Sequence, residues 1–253
     1  MTRAPQTVWI TGAGTGIGRA LALLYTADGC NVVITGRRRE VLDDVVEAGR
    51  GSLGEIRALP GDVTDEAGMQ ALADTLRAAG MLPDIVILNA GNHIPTWAGD
   101  FRVQDYRSLM DVNYFGVVHG LAALLPLMRA RGSGQIAIVA SLAGYRGLPG
   151  AAAYGASKAA LINMAEALRP ELAREGIDLR LVNPGFIETP LTDRNEFEMP
   201  FLIDADTAAR AIHKGLRGGR FEITTPRRFA FLMKILRLLP EGLFFSLTRR
   251  LLP

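Results

Sequence analysis

The chain has 253 residues, 49% of them hydrophobic and 21% charged, which supplies a buried core and excludes a disordered protein. A formal net charge of +2 is too small to indicate a nucleic-acid partner. The single cysteine, Cys30, excludes an intramolecular disulfide and a multi-cysteine metal cluster and fits a reducing compartment. His93, His119 and His213 are too scattered for a metal-ligand pattern, so no metal is expected.

The first six residues are polar and run straight into an apolar strand, leaving no room for a signal peptide. No run reaches the roughly 18 uninterrupted apolar residues of a spanning helix, so a cytoplasmic protein is expected. Strand-length apolar runs are predicted at 7–11, 31–35, 56–59, 84–88, 135–140 and 177–182, with helical stretches between them. That alternation marks βαβ units. Because the runs are continuously apolar, helices should cover both faces of a parallel sheet, giving a doubly wound α/β fold. Nothing interrupts 6–225, so one domain (1–225) with a C-terminal extension (226–253) is expected.

Directly after the first strand comes Thr11-Gly12-Ala13-Gly14-Thr15-Gly16-Ile17-Gly18, opening a helix predicted over 19–28. Glycines let the backbone approach a pyrophosphate, and the helix start offers free N–H groups and a positive dipole end. The alternative is a glycine-rich loop with no ligand. In a Rossmann-type site, an acid about 20 residues further on selects NAD and an arginine accommodates the 2′-phosphate of NADP. Here the second strand ends in Thr35-Gly36-Arg37-Arg38-Arg39, and the first acid, Glu40, falls in the next helical turn. Guanidinium groups match phosphate in a bidentate way, so Arg37 and Arg38 predict NADP(H) over NAD(H). A solvated arginine cluster is the alternative.

The chain holds three lysines, and one of them, Lys158, follows Tyr154 by four residues at the start of a helix running to about residue 175. Positions i and i+4 share a helix face. At ~4 Å and an effective dielectric of ~20, an ammonium would stabilise a phenolate by about 4 kcal/mol, roughly three pK units. A phenol of ordinary pKa near 10 would then approach about 7, with burial acting the other way. Such a tyrosine exchanges protons with an alcohol or ketone oxygen; an incidental surface pair is the bland reading. Ser141 ends the fifth predicted strand, thirteen residues before Tyr154, where strand ends line the ligand crevice. Its hydroxyl either holds a substrate oxygen or caps a turn.

With the glycine turn, Ser141, Tyr154 and Lys158 in this order, the chain resembles the short-chain dehydrogenase/reductase family in its compact form, over roughly residues 6–225. The resemblance implies a Rossmann-like fold with cofactor contacts from Gly12, Gly14, Thr15, Gly16, Ile17 and Gly18. It adds the Asp62-Val63 pair at the adenine and Asn89-Ala90-Gly91 as support for sheet and cofactor. Pro184-Gly185 and Ile187 would also bind the cofactor, and Thr189 would contact its nicotinamide. It also implies a fourth catalytic residue, Asn113, whose helix would be distorted so that a freed carbonyl holds a water leading to Lys158. Leu88 departs mildly from the family, many members of which carry Asn there.

The function this implies is NADP(H)-dependent hydride transfer to or from a carbonyl or secondary alcohol of an apolar small molecule. Tyr154 would act as acid and base, Lys158 would lower its pKa and bind the nicotinamide ribose, and Ser141 would orient the substrate oxygen. Two rivals are a non-catalytic NADP-binding or sensor protein and a sugar-nucleotide epimerase or dehydratase, for which the chain after Pro184 is short. Ile94, Trp97, Leu142, Tyr145, Leu148, Phe186, Met199 and Phe201 either form an apolar substrate face or pack on one another. A homodimer or homotetramer built through helices near 101–130 and 152–175 is also implied.

The tail gets no guidance from the resemblance. Residues 226–253 hold six basic side chains and one acid, Glu241. Phe231, Leu232, Ile235, Leu236 and Leu239 recur at helical spacing, with Arg228, Lys234 and Arg237 nearby, and Pro240-Glu241-Gly242 should split the stretch in two. Peripheral contact with an anionic membrane is one reading; a lid on the substrate pocket or a subunit contact is the other.

Overall fold

The computed structural model describes residues 6–192 and 199–252. The polar opening at 1–5 and Pro253 lie outside the described residues. In chain order the elements are β1 Thr7–Thr11, α1 Gly16–Ala27, β2 Asn31–Thr35, α2 Arg39–Ala48, β3 Ile56–Ala58, α3 Glu66–Ala78, β4 Ile85–Leu88 and α4 Val103–Met110. They continue with α5 Gly116–Arg131, β5 Gly134–Val139, α6 Ala152–Arg174, β6 Ile177–Pro184, α7 Ala205–Leu216, β7 Glu222–Thr225, α8 Arg227–Leu238 and α9 Glu241–Thr248.

The sheet runs β3-β2-β1-β4-β5-β6-β7, every pair parallel. Strand order reverses between β1 and β4, which opens a crevice at their carboxyl ends. Side chains alternate across the sheet. Val8, Ile10, Val32 and Ile34 face one core with α1, α2 and α7, while Trp9, Val33, Val86, Ile136 and Ile138 face the other with α3, α5 and α6. Continuous apolar strands therefore bury both faces, as the run of Val and Ile predicts.

Three differences from the sequence reading are informative. The seventh strand, β7, was not expected: Glu222-Ile-Thr-Thr is short and begins with a charge, and it forms because its backbone pairs with β6 from Leu181 to Pro184. Helix α1 begins at Gly16 rather than 19, so the last two glycines of the motif are its first turn. The tail does split at Leu239-Pro240, but the apolar stripe it buries is not the one nominated. Ala230 and Met233 are buried and Phe229 and Leu236 half-buried against the α6-side core, while Phe231, Leu232 and Ile235 stay exposed.

The continuous helical run Val103–Arg131 is long and apolar enough to cross a bilayer, with mean hydropathy 1.3 over its most apolar stretch. It includes α5, whose Val117, Leu121, Leu124 and Met128 are core residues, the pattern of a core helix.

Candidate active site

The glycine turn owes its shape to absent side chains. Gly12 (φ +66) lies under Ala90, whose Cα would be 2.6 Å from any Cβ placed there, and Gly16 (φ +54) lies against the Thr189 methyl at 2.8 Å. A Cβ on Gly18 would stand 2.7 Å from Asn89 Nδ2 and 2.9 Å from Ala13 Cα, closer still to the Gly12 carbonyl oxygen. Gly14 is tight for another reason, packing on the Val41 side chain of α2. The turn is held from β2 and β4. Gly12 N donates to Thr35 O at 2.8 Å, and Asn89 Nδ2 donates to Thr11 O and Gly12 O, both at 3.1 Å. Thr15 precedes α1 without a side-chain cap, so the first N–H groups of the helix remain available to an anion. Ile17 is half-buried in this first turn.

At the end of β2, Arg37 and Arg38 are exposed and form no ion pair among the described residues, whereas Arg39 pairs with Asp43 at 3.1 Å. Glu40 sits in the first turn of α2. Asp62 is occupied locally, accepting from Thr64 N and Oγ1, and Val63 O contacts His119 Nδ1 at 2.9 Å.

The structure brings the four nominated catalytic residues together beyond β4, β5 and β6. Asn113 lies in a π-helical turn, Asp111–Phe115, between α4 and α5, the distortion expected there. Its side chain is fully used: Oδ1 accepts from Asn92 N at 2.7 Å, and Nδ2 donates to Asn92 O at 3.0 Å and Ser157 Oγ at 2.9 Å. A Cβ on Gly91 would be 3.2 Å from Asn113 Oδ1 and 3.4 Å from Lys158 Nζ, so that glycine lets both approach the β4 loop. Lys158 is 3% exposed, and its ammonium donates to Val139 O at 2.9 Å. Ser141 follows β5, accepts from Ala143 N at 3.1 Å and interacts with the Tyr154 phenol.

The electrostatics correct one expectation. Enclosure by protein pushes the Tyr154 phenol above its ordinary value, and the Ser141 hydroxyl only partly opposes this. The expected pull of Lys158 is missing because its ammonium turns to the Val139 carbonyl, with Nζ 5.8 Å from the ring centroid. Burial also brings Lys158 down to about 8. Both groups are thereby biased toward their neutral forms, the protonated phenol in the case of Tyr154.

Sequence reasoning missed several participants. His93 stacks edge-on against Tyr154, centroids 4.9 Å apart. Asn92 and Ser157 complete the Asn113 network. Phe229, from α8, lies between Phe186 and Phe201 and sits on Gly185, where a Cβ would meet its ring at 2.6 Å. Ser157 was in view, one residue before Lys158; a contact such as Phe229–Gly185 has no local signal. The nominated pocket residues divide. Phe186 and Phe201 pack with Phe229, whereas Leu142 and Tyr145 are buried in the core, and Tyr145 turns its hydroxyl to Glu222. Trp97 is pressed onto Gly150. Pro184 ends β6, Ile187 is buried and bridges to Ile203, and Thr189 N donates to Thr192 Oγ1 at 3.0 Å.

A seven-stranded parallel sheet with a glycine turn at its switch point and a Ser–Tyr–Lys–Asn cluster beside it is the architecture of a dinucleotide-dependent oxidoreductase. The short chain dehydrogenase family model matches residues 6–199. The chain is 36% identical over 247 residues to an oxidoreductase of Myxococcus xanthus, covering 97% of each, a match that takes in most of the tail as well. Two solved structures are similar in fold. A short-chain dehydrogenase/reductase from Burkholderia phymatum in complex with NAD has TM-score 0.82 and 26% identity, covering 91% of this chain and 92% of that one. A short-chain dehydrogenase from Sphingobium yanoikuyae in complex with NADPH has TM-score 0.80 and 25% identity, covering 93% and 97%. The chain belongs to the short-chain dehydrogenase/reductase family of oxidoreductases.

Proposed function

We propose that the protein is a cytoplasmic NADP(H)-dependent oxidoreductase that interconverts a carbonyl and a secondary alcohol on an apolar small molecule. The observation that carries this reading is the convergence of Ser141, Tyr154, Lys158 and Asn113 at the carboxyl ends of β4–β6, one loop away from the glycine turn. When bound, the nicotinamide nucleotide supplies the hydride. The α1 N-terminus and the glycine turn would hold its pyrophosphate. Asn89–Gly91, Pro184–Ile187 and Thr189 would flank its nicotinamide half, and Asp62-Val63 its adenine. Similar proteins bound to NAD and to NADPH support a nicotinamide cofactor. Preference for NADP(H) rests on Arg37 and Arg38, which form no ion pair among the described residues and lie at the N-terminus of α2, whose dipole adds to the attraction for a 2′-phosphate.

Ser141 would orient the substrate oxygen, and Tyr154 would donate its proton to that oxygen in reduction and accept it in oxidation. Lys158 would hold the nicotinamide ribose and, on leaving the Val139 carbonyl, stabilise the phenolate. Asn113 would support the proton relay through a water on a carbonyl freed by the π turn. A homodimer or homotetramer through α4–α5 and α6 is part of this reading, supported by the exposure of Phe101, Val103 and Phe115 in and beside these helices.

The test is nicotinamide oxidation with NADPH and NADH across ketones, aldehydes, quinones and bulky apolar carbonyls, for the native protein and Tyr154→Phe. Turnover should fall by about 10²–10⁴ in the variant, with NADPH binding retained. Unchanged turnover in the variant would overturn the catalytic assignment. NADPH binding with no turnover across the panel would make the protein a non-catalytic binder.

A further inference from the structure

Helix α8 is apolar on two opposite sides. Its inner stripe, Phe229, Ala230, Met233 and Leu236, packs on the core. At about 100° per residue, Phe231, Ile235 and Leu238 (i, i+4, i+7) share the opposite side with Leu232. They are exposed, Phe231 by 65% and Leu238 by 84%. Helix α9 repeats the arrangement: Phe244 and Thr248 (i, i+4) are buried, while Leu243, Phe245 and Leu247 face out, followed by exposed Leu251 and Leu252.

The outward face is not needed to hold the tail in place. Arg146 Nη1 donates to Leu236 O at 2.8 Å and Leu239 O at 2.7 Å, and its guanidinium lies 3.8 Å over the Phe244 ring. Lys234 is tied to Glu222. The tail is thus anchored from its inner side, and what both helices turn outward is a set of large apolar side chains of the kind that marks an interaction site.

Its charge identifies the partner. Arg227, Arg228, Arg249 and Arg250 are exposed and form no ion pair among the described residues, and Glu241 is the one acid of residues 226–253. Pairing with a second copy across a two-fold axis would set this basic face against itself. An anionic lipid surface offers both an apolar interior for the leucines and phenylalanines and phosphates for the guanidiniums. Each helix is far too short to span the hydrocarbon core, which needs about 20 residues. We propose that the outward faces of α8 and α9 form a docking surface for an anionic phospholipid bilayer, on which the protein lies peripherally with both helices in the interface plane.

The test is co-sedimentation of the full-length protein with vesicles of phosphatidylcholine alone or mixed with phosphatidylglycerol, at low and high salt. Binding should require phosphatidylglycerol and weaken with salt. The triple variant Phe231→Ser/Ile235→Ser/Leu238→Ser should lose it while keeping the native melting temperature and NADPH binding, because these side chains lie off the docked stripe. A second variant, Arg228→Gln/Arg249→Gln/Arg250→Gln, touches no apolar contact. It should lower affinity for the mixed vesicles roughly a hundredfold, at about fivefold per charge. The proposal is overturned if the native protein prefers neutral vesicles or pellets with neither. It is equally overturned if both variants bind like the native protein, or if the serine variant dissociates an oligomer in sedimentation without lipid, which would make the face a contact between copies.

Discussion

The crevice has two sides that are held by different physics. On the β1, β2 and β4 side, the backbone is shaped by what is missing: Gly12, Gly16 and Gly18 lie so close to Ala90, Thr189 and Asn89 that no side chain fits. On the β5, β6 and β7 side, where Gly185 is likewise closed off by Phe229, polar pairs between distant residues add to the shape. Tyr145 reaches Glu222 across 77 positions, Asn183 reaches it across 39, and Arg146 reaches the end of α8 across 90. The first kind of structure is steric and indifferent to pH. The second is a network of charges and hydrogen bonds, each contributing modestly and each open to titration. The same chain can therefore hold its cofactor turn against a change of pH while the contacts of its tail respond to one.

The steric side should give the largest effect. Gly18→Ala forces a methyl onto Asn89 and the Gly12 carbonyl in the first turn of α1, and overpacking of this kind costs about 1–3 kcal/mol or more. With the turn also displaced from the pyrophosphate, nucleotide affinity should fall more than a hundredfold, and native affinity by fluorescence titration would show that the turn yields after all. Next come the arginines. Arg37→Ala/Arg38→Ala should weaken NADPH by roughly ten- to a hundredfold, at about 1.5–3 kcal/mol per charged hydrogen bond, and NADH much less. Equal losses for both nucleotides would show that the pair does not read the 2′-phosphate.

These two sides also differ in how far the sequence displays them. The glycine turn, the six main strands and the Ser141–Tyr154–Lys158 spacing are legible because each is a pattern within a few residues of one element. Strand β7 is not, since Glu222-Ile-Thr-Thr acquires strand geometry only by pairing with β6. Phe229 reaches Gly185 only because β7 carries the chain back past β6. In α8, two apolar stripes overlap in one sequence, and periodicity alone groups Leu236 with Phe231, Leu232 and Ile235 although it packs inward and they do not. The phenol of Tyr154 shows the same limit: spacing places Lys158 on its helix face but does not reveal that Val139 O takes the ammonium.

That lysine gives the third prediction. In Lys158→Met, the pH dependence of alcohol oxidation with nucleotide bound should move upward by about one unit, since the ammonium, once drawn off the Val139 carbonyl, would be the cation that stabilises the phenolate, at about 1.4 kcal/mol per unit. Cofactor affinity should fall as well. An unchanged profile with weakened binding would leave Lys158 as a ribose anchor held on the Val139 carbonyl.

The smallest effect belongs to the tail network and depends on pH. Burial pushes the Glu222 carboxyl up, but hydrogen bonds from Lys234, Tyr145 and Asn183 together outweigh it and leave the group below its ordinary 4.5. A carboxyl whose folded pKa is depressed contributes stability that is fully present above the unfolded value and is lost as pH falls through the folded one. The contribution should therefore be intact at neutral pH and decline from about pH 4.5 downward. Glu222→Gln keeps the shape and removes the charge, so at pH 7 it should destabilise the protein by about 1 kcal/mol, read by urea unfolding. Because Lys234 and Tyr145 would lose their common anchor, the loss should be felt where α8 meets β7. The difference between native and variant should shrink as the pH is lowered past 4 and the native carboxyl itself protonates. A difference that stays constant down to acid pH would mean that Glu222 acts through packing alone, and the tail would then be held by the same steric means as the glycine turn.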